Sequence, residues 1–344
     1  MVLSLLLFAA YSLQTPAPVA GQTPDGTVLT IVFIDVGQGD STLVILPNSK
    51  TLLIDGGERQ NSDGVFETLR QYDVDRVDVM VATHPHADHI GGLVEVIDSN
   101  VISVGEVLDS GQEYSTQTFE DLLDGIDREH IPLTSVKKGD FIELDPSVSL
   151  KVLNPQDPAP RGIEDEVNNN SVVIKLTYGN FSALFTGDME QYNELVLLNA
   201  TDGSVATTTA ADDARSNDIL LDADILKVGH HGSRHSSTSD FLQAVSPETA
   251  VISLGAGNSY GHPHREALDR LKAAGVQHVL RTDLDGTITI EASANGEYSV
   301  ATEKTDMIIV APEFGGVPYV GIAAMGMVVV IVVILARLGI PWKR

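Results

Sequence analysis

Short apolar runs, in which hydrophobic and polar positions alternate loosely, recur along most of the chain and predict β-strands. The predicted strands cover residues 28–35, 41–47, 51–55, 77–82, 141–144, 149–153, 171–178, 181–186, 223–228, 249–254, 276–280 and 287–291. Helical patterns cover residues 65–71, 90–97, 119–128, 189–198 and 264–273. Strands dominate the first part of the chain and later alternate with helices. This order favours two β-sheets sandwiched between outer helices, in the α/β class.

The first 21 residues have the pattern of an export signal. An apolar run over residues 2–10 is followed by Thr15-Pro16-Ala17-Pro18 and by small residues up to Gly21. The pattern predicts a secretory signal peptide (1–21) that is cleaved near Gly21 or Gln22, with a short membrane anchor as the alternative. We therefore expect the protein to be exported.

The C-terminal end has the pattern of a membrane anchor. Residues 317–336 carry no charge and are long enough for one spanning helix, with a buried core helix as the alternative. The basic residues Arg337, Lys343 and Arg344 follow, which predicts a cytoplasmic C-terminus and an extracellular or cell-surface main domain. The preceding Pro312-Glu313-Phe314-Gly315 resembles the archaeal sorting signals of the PEF type, which implies a sorting enzyme as a partner.

These patterns divide the chain into four parts. They are the signal peptide, a main domain over residues 27–302, a linker with the PEFG motif over 303–316, and a transmembrane helix and sorting tail over 317–344. Within the main domain, residues 200–216 are mostly Thr, Ala and Asp, a composition that predicts a surface insertion.

Charge and composition limit the chemistry of the chain. The formal net charge is −27, which argues against binding of nucleic acid by a broad basic face. It leaves open a local site at which metal ions supply the positive charge. The chain has no cysteine, so any metal must be held by nitrogen and oxygen atoms.

Eight of the ten histidines fall in three groups, and each group follows a predicted strand. The first group is the most informative, because His84, His86, Asp88 and His89 lie within six residues directly after the strand 77–82. Imidazole and carboxylate groups delivered to one point by a tight loop are typical of a metal site. A solvated His-rich turn is the alternative.

Spacing divides these ligands between two positions. His84 and His86 can point the same way and share one ion, whereas Asp88 and His89 can hold a second. Asp188 follows Gly187 at the end of a predicted strand, and its carboxylate can bridge two ions. An ordinary turn is the alternative for Asp188, and only the nearby His groups favour the bridging role.

Six motifs resemble the metallo-β-lactamase superfamily, and within it the extracytoplasmic domain of the ComEC-like DNA-uptake proteins. They occur in the family's order over residues 28–291 and are Asp35-Val36-Gly37-Gln38-Gly39-Asp40, Ile54-Asp55-Gly56-Gly57, residues 83–93, Thr186-Gly187-Asp188, Lys227-Val228-Gly229-His230-His231-Gly232-Ser233, and Tyr260-Gly261-His262-Pro263-His264. The resemblance implies a four-layer αββα sandwich with two divalent metal ions, Zn or Mn, at one edge.

The resemblance also implies a role for each site residue. Two ligand sets follow, with Asp188 as the bridge: His84 and His86 for the first ion, and Asp88, His89 and either His230 or His231 for the second. Four further residues are expected near the ions: Asp55 behind the loop, Ser233 as a donor, His262 as a ligand or substrate contact, and Asn168 where the superfamily usually has a histidine. An Asn there favours a weaker first ion or manganese.

The implied chemistry is hydrolysis by a hydroxide held between the two ions, with Asp88 and His231 in catalytic roles and Asp88 orienting the nucleophile. The leading hypothesis is an extracellular phosphodiesterase or nuclease acting on DNA. One alternative is a lactone, lactam or thioester hydrolase that uses the same site, which the missing basic groove favours. The other is a non-catalytic surface module stabilised by metal, which the sorting tail and the acidic surface favour.

Overall fold

Two β-sheets form the centre of the protein in the computed structural model, which describes residues 28–202, 221–304, 307–310 and 319–322. The strands are β1 (Leu29–Phe33), β2 (Thr42–Ile45), β3 (Thr51–Ile54), β4 (Arg76–Ala82), β5 (Ser103–Asp109), β6 (Leu133–Ser135), β7 (Val148–Asn154), β8 (Val173–Tyr178), β9 (Phe181–Phe185), β10 (Ile225–Lys227), β11 (Thr249–Ile252), β12 (His278–Arg281), β13 (Ile288–Ala292), β14 (Tyr298–Thr302), β15 (Met307–Val310) and β16 (Tyr319–Ile322). The helices are α1 (Asp63–Gln71), α2 (Ala87–Asp98), α3 (Gln117–Arg128), α4 (Glu166–Asn169), α5 (Gln191–Asp202), α6 (Ser239–Val245), α7 (Arg265–Ala273) and α8 (Thr282–Asp285).

Strand order brings the ends of several parallel strands together. The larger sheet has the order β16-β15-β14-β13-β1-β2-β3-β4-β5-β6, and the smaller sheet has the order β12-β11-β10-β9-β8-β7. The strands β3 to β6 pair in parallel in the larger sheet, and β9 to β12 pair in parallel in the smaller one. Loops that follow neighbouring parallel strands leave from the same edge of a sheet, and such loops commonly carry functional residues.

Alternating side chains divide the core into layers. Leu29, Ile31 and Phe33 of β1 lie in the central core between the two sheets, whereas Val32 lies with the helices on the outer face. The outer cluster of the larger sheet includes side chains of α1, α2 and α3, and that of the smaller sheet includes side chains of α5, α6 and α7. The predicted four-layer αββα sandwich is therefore confirmed.

Some local predictions differ from the structure. The strand predicted over 141–144 is wrong, because only Phe141 pairs, in an isolated bridge to Lys151. Ile142 is buried in the central core and Leu144 packs against it, but Phe141 is 53% exposed and no strand ladder forms. The sequence analysis missed the strands β5, β6 and β14, and also β15, which lies inside the predicted linker. It missed the short helices α4, α6 and α8, of which α4 lies inside a predicted loop. In β5, Gly105 and Glu106 interrupt the apolar pattern.

The predicted signal peptide and the predicted C-terminal membrane helix lie largely outside the described residues. The predicted signal peptide falls in residues 1–27, and most of the predicted insertion falls in residues 203–220. Within the predicted spanning helix only Tyr319–Ile322 is described, and it differs by forming β16, which pairs with β15. Aromatic and β-branched residues favour an extended strand at these positions. No helix within the described ranges is long and apolar enough to cross a membrane.

Candidate metal centre

The His-rich loop connects β4 to α2 and brings two imidazoles together. β4 ends at Ala82, and α2 begins at Ala87 after His86, whose backbone is still extended. The Nε2 atom of His84 lies 3.1 Å from Nδ1 of His86. Two nitrogen ligands of one tetrahedral zinc ion are about 3.4 Å apart, given bonds of about 2.1 Å. The pair therefore has the spacing of two ligands of one ion.

Asp188 is the residue that the histidines surround. It follows β9, is almost completely buried, and its Oδ2 lies 3.3 Å from Nε2 of His89. The Nε2 atoms of His230 and His231 each lie 3.6 Å from the same oxygen, and that of His84 lies 3.9 Å away. One carboxylate from the smaller sheet thus meets imidazoles from the loops of both sheets.

Outer hydrogen bonds fix the orientation of three imidazoles. In each case Nδ1–H donates away from the centre: His89 to Asp55 (2.8 Å), His231 to the main-chain oxygen of Ser253 (2.9 Å) and His230 to Glu190 (2.7 Å). This tautomer leaves each Nε2 bare and facing Asp188. A metal-binding histidine typically has such an outer acceptor, which sets its tautomer and increases its basicity as a ligand.

Asp55 also holds the His-rich loop from behind. Its Oδ1 accepts the Thr83 main-chain N–H at 2.8 Å, and its Oδ2 accepts the Thr83 hydroxyl at 2.7 Å. The same carboxylate therefore contacts both the start of the loop and His89 in the first turn of α2. This is the position that the resemblance implies for Asp55.

The structure distinguishes His231 from His230, which the sequence could not. Both have left-handed backbone angles, with φ of 51° and 46°, and their rings diverge at 69°. His231 is buried, with Nε2 3.4 Å from Asp88, and it joins Asp88 and His89 in a group whose donor atoms all lie within 4.8 Å. His230 belongs to none of the four such groups found among the described residues, and neither does His86, so the distinction rests on the burial of His231 and on its contact with Asp88.

Asp40 and Lys227 form a buried pair that the sequence analysis did not assign to the site. The Nζ atom of Lys227 contacts Asp40 and also donates to the Gly187 main-chain oxygen at 3.1 Å. The Oδ1 atom of Asp40 lies 3.2 Å from Nδ1 of His231. Asp40 and Lys227 belong to two of the motifs noted above. Their burial shows that the pair links the loop after β1 to the end of β10.

The electrostatics of the centre favour positive charge. Despite burial, the imidazoles of His231 and His89 hold the pKa of Asp188 well below its ordinary value. In turn, Asp188 and Asp55 hold the pKa of His89 well above its ordinary value, again against the effect of burial. By contrast, burial and the neighbouring His89 push the pKa of His84 well below normal. A metal cation would satisfy the same carboxylates that attract protons here.

Orphaned polar atoms show that the residues fit divalent metal ions. Four of the buried atoms without a hydrogen-bond partner lie at this centre: His89 Nε2, His231 Nε2, Asp188 Oδ1 and Asp40 Oδ1. Buried polar atoms are almost always satisfied, so this cluster of exceptions fits bound divalent cations. Imidazole nitrogen and carboxylate oxygen suit zinc and manganese alike.

The other predicted residues lie in different environments. Asn168 is buried beside the cleft over the centre, and its Oδ1 has no hydrogen-bond partner. His262 lines the same cleft, and burial together with His231 and His230 lowers its pKa to about 3. Ser233 is buried and does not line the cleft, and its hydroxyl accepts the His235 main-chain N–H at 3.2 Å. Its predicted role as a donor in the site is not supported by this placement.

The cleft has a volume of about 400 Å³ and opens over His86, Asp88 and Asp188. Glu58 and Tyr114 line it on the side of the larger sheet, and Tyr260 and His262 come from a loop of the smaller sheet. None of the described residues that line it is Lys or Arg. Bound metal would supply positive charge that Lys and Arg do not provide in this cleft.

Gly92 lets α2 pack closely against the loop after β3, and this contact positions His89. A Cβ on Gly92 would lie 1.9 Å from the Gly56 main-chain oxygen. We expect Gly92→Ala to displace the helix, because overpacking of this kind costs about 1–3 kcal/mol of unfolding free energy. Chemical denaturation and metal titration should both show a loss.

The matched control for Gly92→Ala is Gly125→Ala in α3. The nearest atom to a Cβ on Gly125 is Ile97 Cγ2, a methyl carbon at 3.2 Å that can shift. Alanine is the better helix former, so this variant should lose much less stability than Gly92→Ala. Equal behaviour of the two variants would contradict the proposed packing constraint.

A sandwich of two sheets between helices, with His and Asp ligands at the ends of its parallel strands, defines a class of metal-dependent hydrolases. The chain belongs to the metallo-β-lactamase superfamily, whose sequence profile matches residues 34–256.

Two relatives, a ComE operon protein and a competence protein, are in line with the ComEC-like resemblance. ComE operon protein 3 of Bacillus subtilis is 31% identical over 278 residues, which are 74% of this chain and 32% of that protein. Competence protein ComA of Neisseria gonorrhoeae is 29% identical over 297 residues, which are 85% of this chain and 36% of that protein. The chain thus spans about a third of the length of these relatives.

Among solved structures, the metallo hydrolase Igni18 of Ignicoccus hospitalis is similar to this chain. It is 15% identical, and the similarity covers 76% of this chain and 98% of that one with a TM-score of 0.42.

Proposed function

We propose that this protein is a divalent-metal-dependent phosphodiesterase that acts on DNA outside the cell. The observation that carries the proposal is the position of Asp188, whose carboxylate lies within 3.9 Å of imidazoles belonging to both predicted metal positions. The kinship with competence proteins and the resemblance to ComEC-like DNA-uptake proteins support DNA as the substrate. The predicted export signal supports the location.

The structure suggests which residues would hold each ion. His84 and His86 would hold the first ion, with Asn168 beside them in the cleft. The donor atoms of Asp88, His89 and His231 would hold the second ion, and Asp188 would contact both. When bound, the ions would activate water and neutralise the charge that develops on a phosphoryl group.

The chain's own residues orient the reaction. Asp88 faces the cleft, and despite burial the neighbouring imidazoles of His231 and His89 hold the pKa of its carboxyl below the ordinary value. An ionised carboxylate there accepts a hydrogen bond from an attacking water and aligns it. Asp55 and Glu190 keep His89 and His230 fixed, so few groups must reorganise during the reaction.

A second candidate function is hydrolysis of a lactone, lactam or thioester. The absence of Lys and Arg from the described cleft lining favours a neutral substrate, as does the carboxylate of Glu58 at the same wall. The metal centre would be the same, and only the substrate would differ.

One substrate panel tests both functions. The pure chain, loaded with Mn²⁺ or Zn²⁺, should cut single- or double-stranded DNA, and His84→Ala should abolish this cleavage. The matched control is His235→Ala, because His235 is exposed and lies outside the cleft. Turnover of lactone, lactam or thioester substrates without any cleavage of DNA would reject the phosphodiesterase proposal. Elemental analysis that finds no bound metal would reject both enzymatic functions.

A further inference from the structure

Tyr260 is a large aromatic side chain exposed at the rim of the cleft. It lies on the loop between β11 and α7, and it is 60% exposed. Its ring stacks on His262 with a centroid distance of 5.8 Å and an angle of 22°. His262 in turn lies edge-on to His230 at 5.3 Å. One face of the tyrosine is therefore supported by the candidate centre, and the rest of the ring is open.

A second tyrosine lines the same cleft from the other sheet. Tyr114 lies on the loop between β5 and α3, and its ring is 5.5 Å from that of His86 at an angle of 67°. Because β5 belongs to the larger sheet and β11 to the smaller one, the two tyrosines reach the cleft from different sheets. The candidate ligand His86 lies beside Tyr114.

Apart from metal ions, the described lining of this cleft offers few positively charged groups that could bind a polyanion. The described lining has no Lys or Arg, and it includes the carboxylates of Glu58, Asp88 and Asp188. Stacking on an aromatic ring does not depend on charge, and every nucleobase offers a flat face. Two lining side chains also carry buried polar atoms without a hydrogen-bond partner, a donor at Gln38 Nε2 and an acceptor at Asn168 Oδ1.

We propose that Tyr260, with Tyr114 across the cleft, stacks an unpaired nucleobase next to the phosphodiester that is cleaved. The substrate class is then single-stranded nucleic acid, because the bases of a duplex already cover one another's faces. This inference rests on the proposed phosphodiesterase function and makes it more specific. Affinity comes from stacking and from the metal ions, so the acidic surface of the protein is no obstacle to binding.

The first test compares two single strands of equal length, one with bases and one built from abasic sugar phosphates. The metal-loaded wild type should prefer the strand with bases by about 5- to 100-fold in KM, the range that stacking of one base supplies. Tyr260→Ala should lose most of this preference. The control Tyr192→Ala removes another exposed tyrosine, on α5 and outside the cleft, and should keep the preference.

The second test needs no catalysis. Tyr260→Trp places a fluorescent ring at the rim, and Trp342 is the only other tryptophan in the chain. Titration with the single strand that carries bases should quench the new fluorescence, and the abasic strand and a blunt duplex should not. The wild type provides the correction for Trp342.

The outcomes separate the two proposals. Absence of cleavage of either strand by the wild type would reject the phosphodiesterase function, and the fluorescence titration would still decide whether a base stacks on this position. Cleavage of both strands with equal KM, a preference that survives Tyr260→Ala, or equal quenching by duplex and single strand would each overturn the stacking proposal.

Discussion

Replacing Asp188 with asparagine is expected to lower kcat/KM on the natural substrate by about 10²- to 10³-fold, the cost of removing one charge-stabilising group from a catalytic centre. The variant should also retain less metal after dialysis. Asparagine has nearly the same shape, so the change removes charge with little effect on packing. It also replaces a carboxylate oxygen, which can coordinate a metal ion, with an amide group. The amide can present its N–H groups to the Nε2 atoms of the surrounding histidines.

The geometry explains why this single charge should matter so much. The Oδ2 atom lies between 3.3 and 3.9 Å from the Nε2 atoms of four histidines, and Asp188 is almost completely buried. Water cannot replace the lost charge at such a position. Each of the two predicted metal positions would lose the one anionic ligand that they share.

Elemental analysis and steady-state kinetics check the expectation, and circular dichroism shows whether the variant is folded. The control is Asp157→Asn, which breaks an exposed pair with Lys137. Exposed pairs contribute about 0–1 kcal/mol, so this change should leave metal content and activity intact. A folded Asp188→Asn protein with full metal content and full activity would rule out the shared-ligand role.

The sequence predicted the parts of the centre that are local in the chain. His84, His86, Asp88 and His89 lie on one tight strand–loop–helix connection, so their convergence needs little information from the rest of the fold. Asp188 was predicted with them only because of the His groups, since an Asp after Gly at the end of a strand is otherwise typical of an ordinary turn. The alternation of apolar and polar residues predicted the layers, because strand periodicity decides which side chains face the other sheet.

The sequence could not predict the parts that depend on backbone conformation and long-range burial. The adjacent His230 and His231 cannot be told apart as ligands until their backbone φ angles are known. Their residue type does not predict that both adopt the left-handed conformation. The pairing of Asp40 with Lys227 joins distant parts of the chain, and a carboxylate in a Gly-rich turn usually faces solvent. Glu190 was also missed as the acceptor of His230, because their contact joins residues that lie 40 positions apart in the chain.

The second large effect on metal binding and activity is expected from substitution of the adjacent His230 and His231. We expect His231→Ala to weaken metal binding strongly and to lower activity by about 10²-fold or more, since it removes a donor from the buried group that includes Asp88 and His89. His230→Ala should retain most of the metal, because the side chain of His230 is 23% exposed, whereas that of His231 is buried and lies 3.4 Å from Asp88. Its effect should appear mainly in KM or kcat at full metal occupancy.

The two variants control for each other. His230 and His231 have nearly the same left-handed φ, so alanine at either position carries a similar backbone strain of about 1–2 kcal/mol. A difference in metal content between them therefore reports on the side chains alone. Isothermal titration with Zn²⁺ and with Mn²⁺ measures that difference directly. If His230→Ala lost more metal than His231→Ala, the bare Nε2 of His231 would not be a ligand, and the second ion would have to lie on the cleft side of Asp188, next to His230.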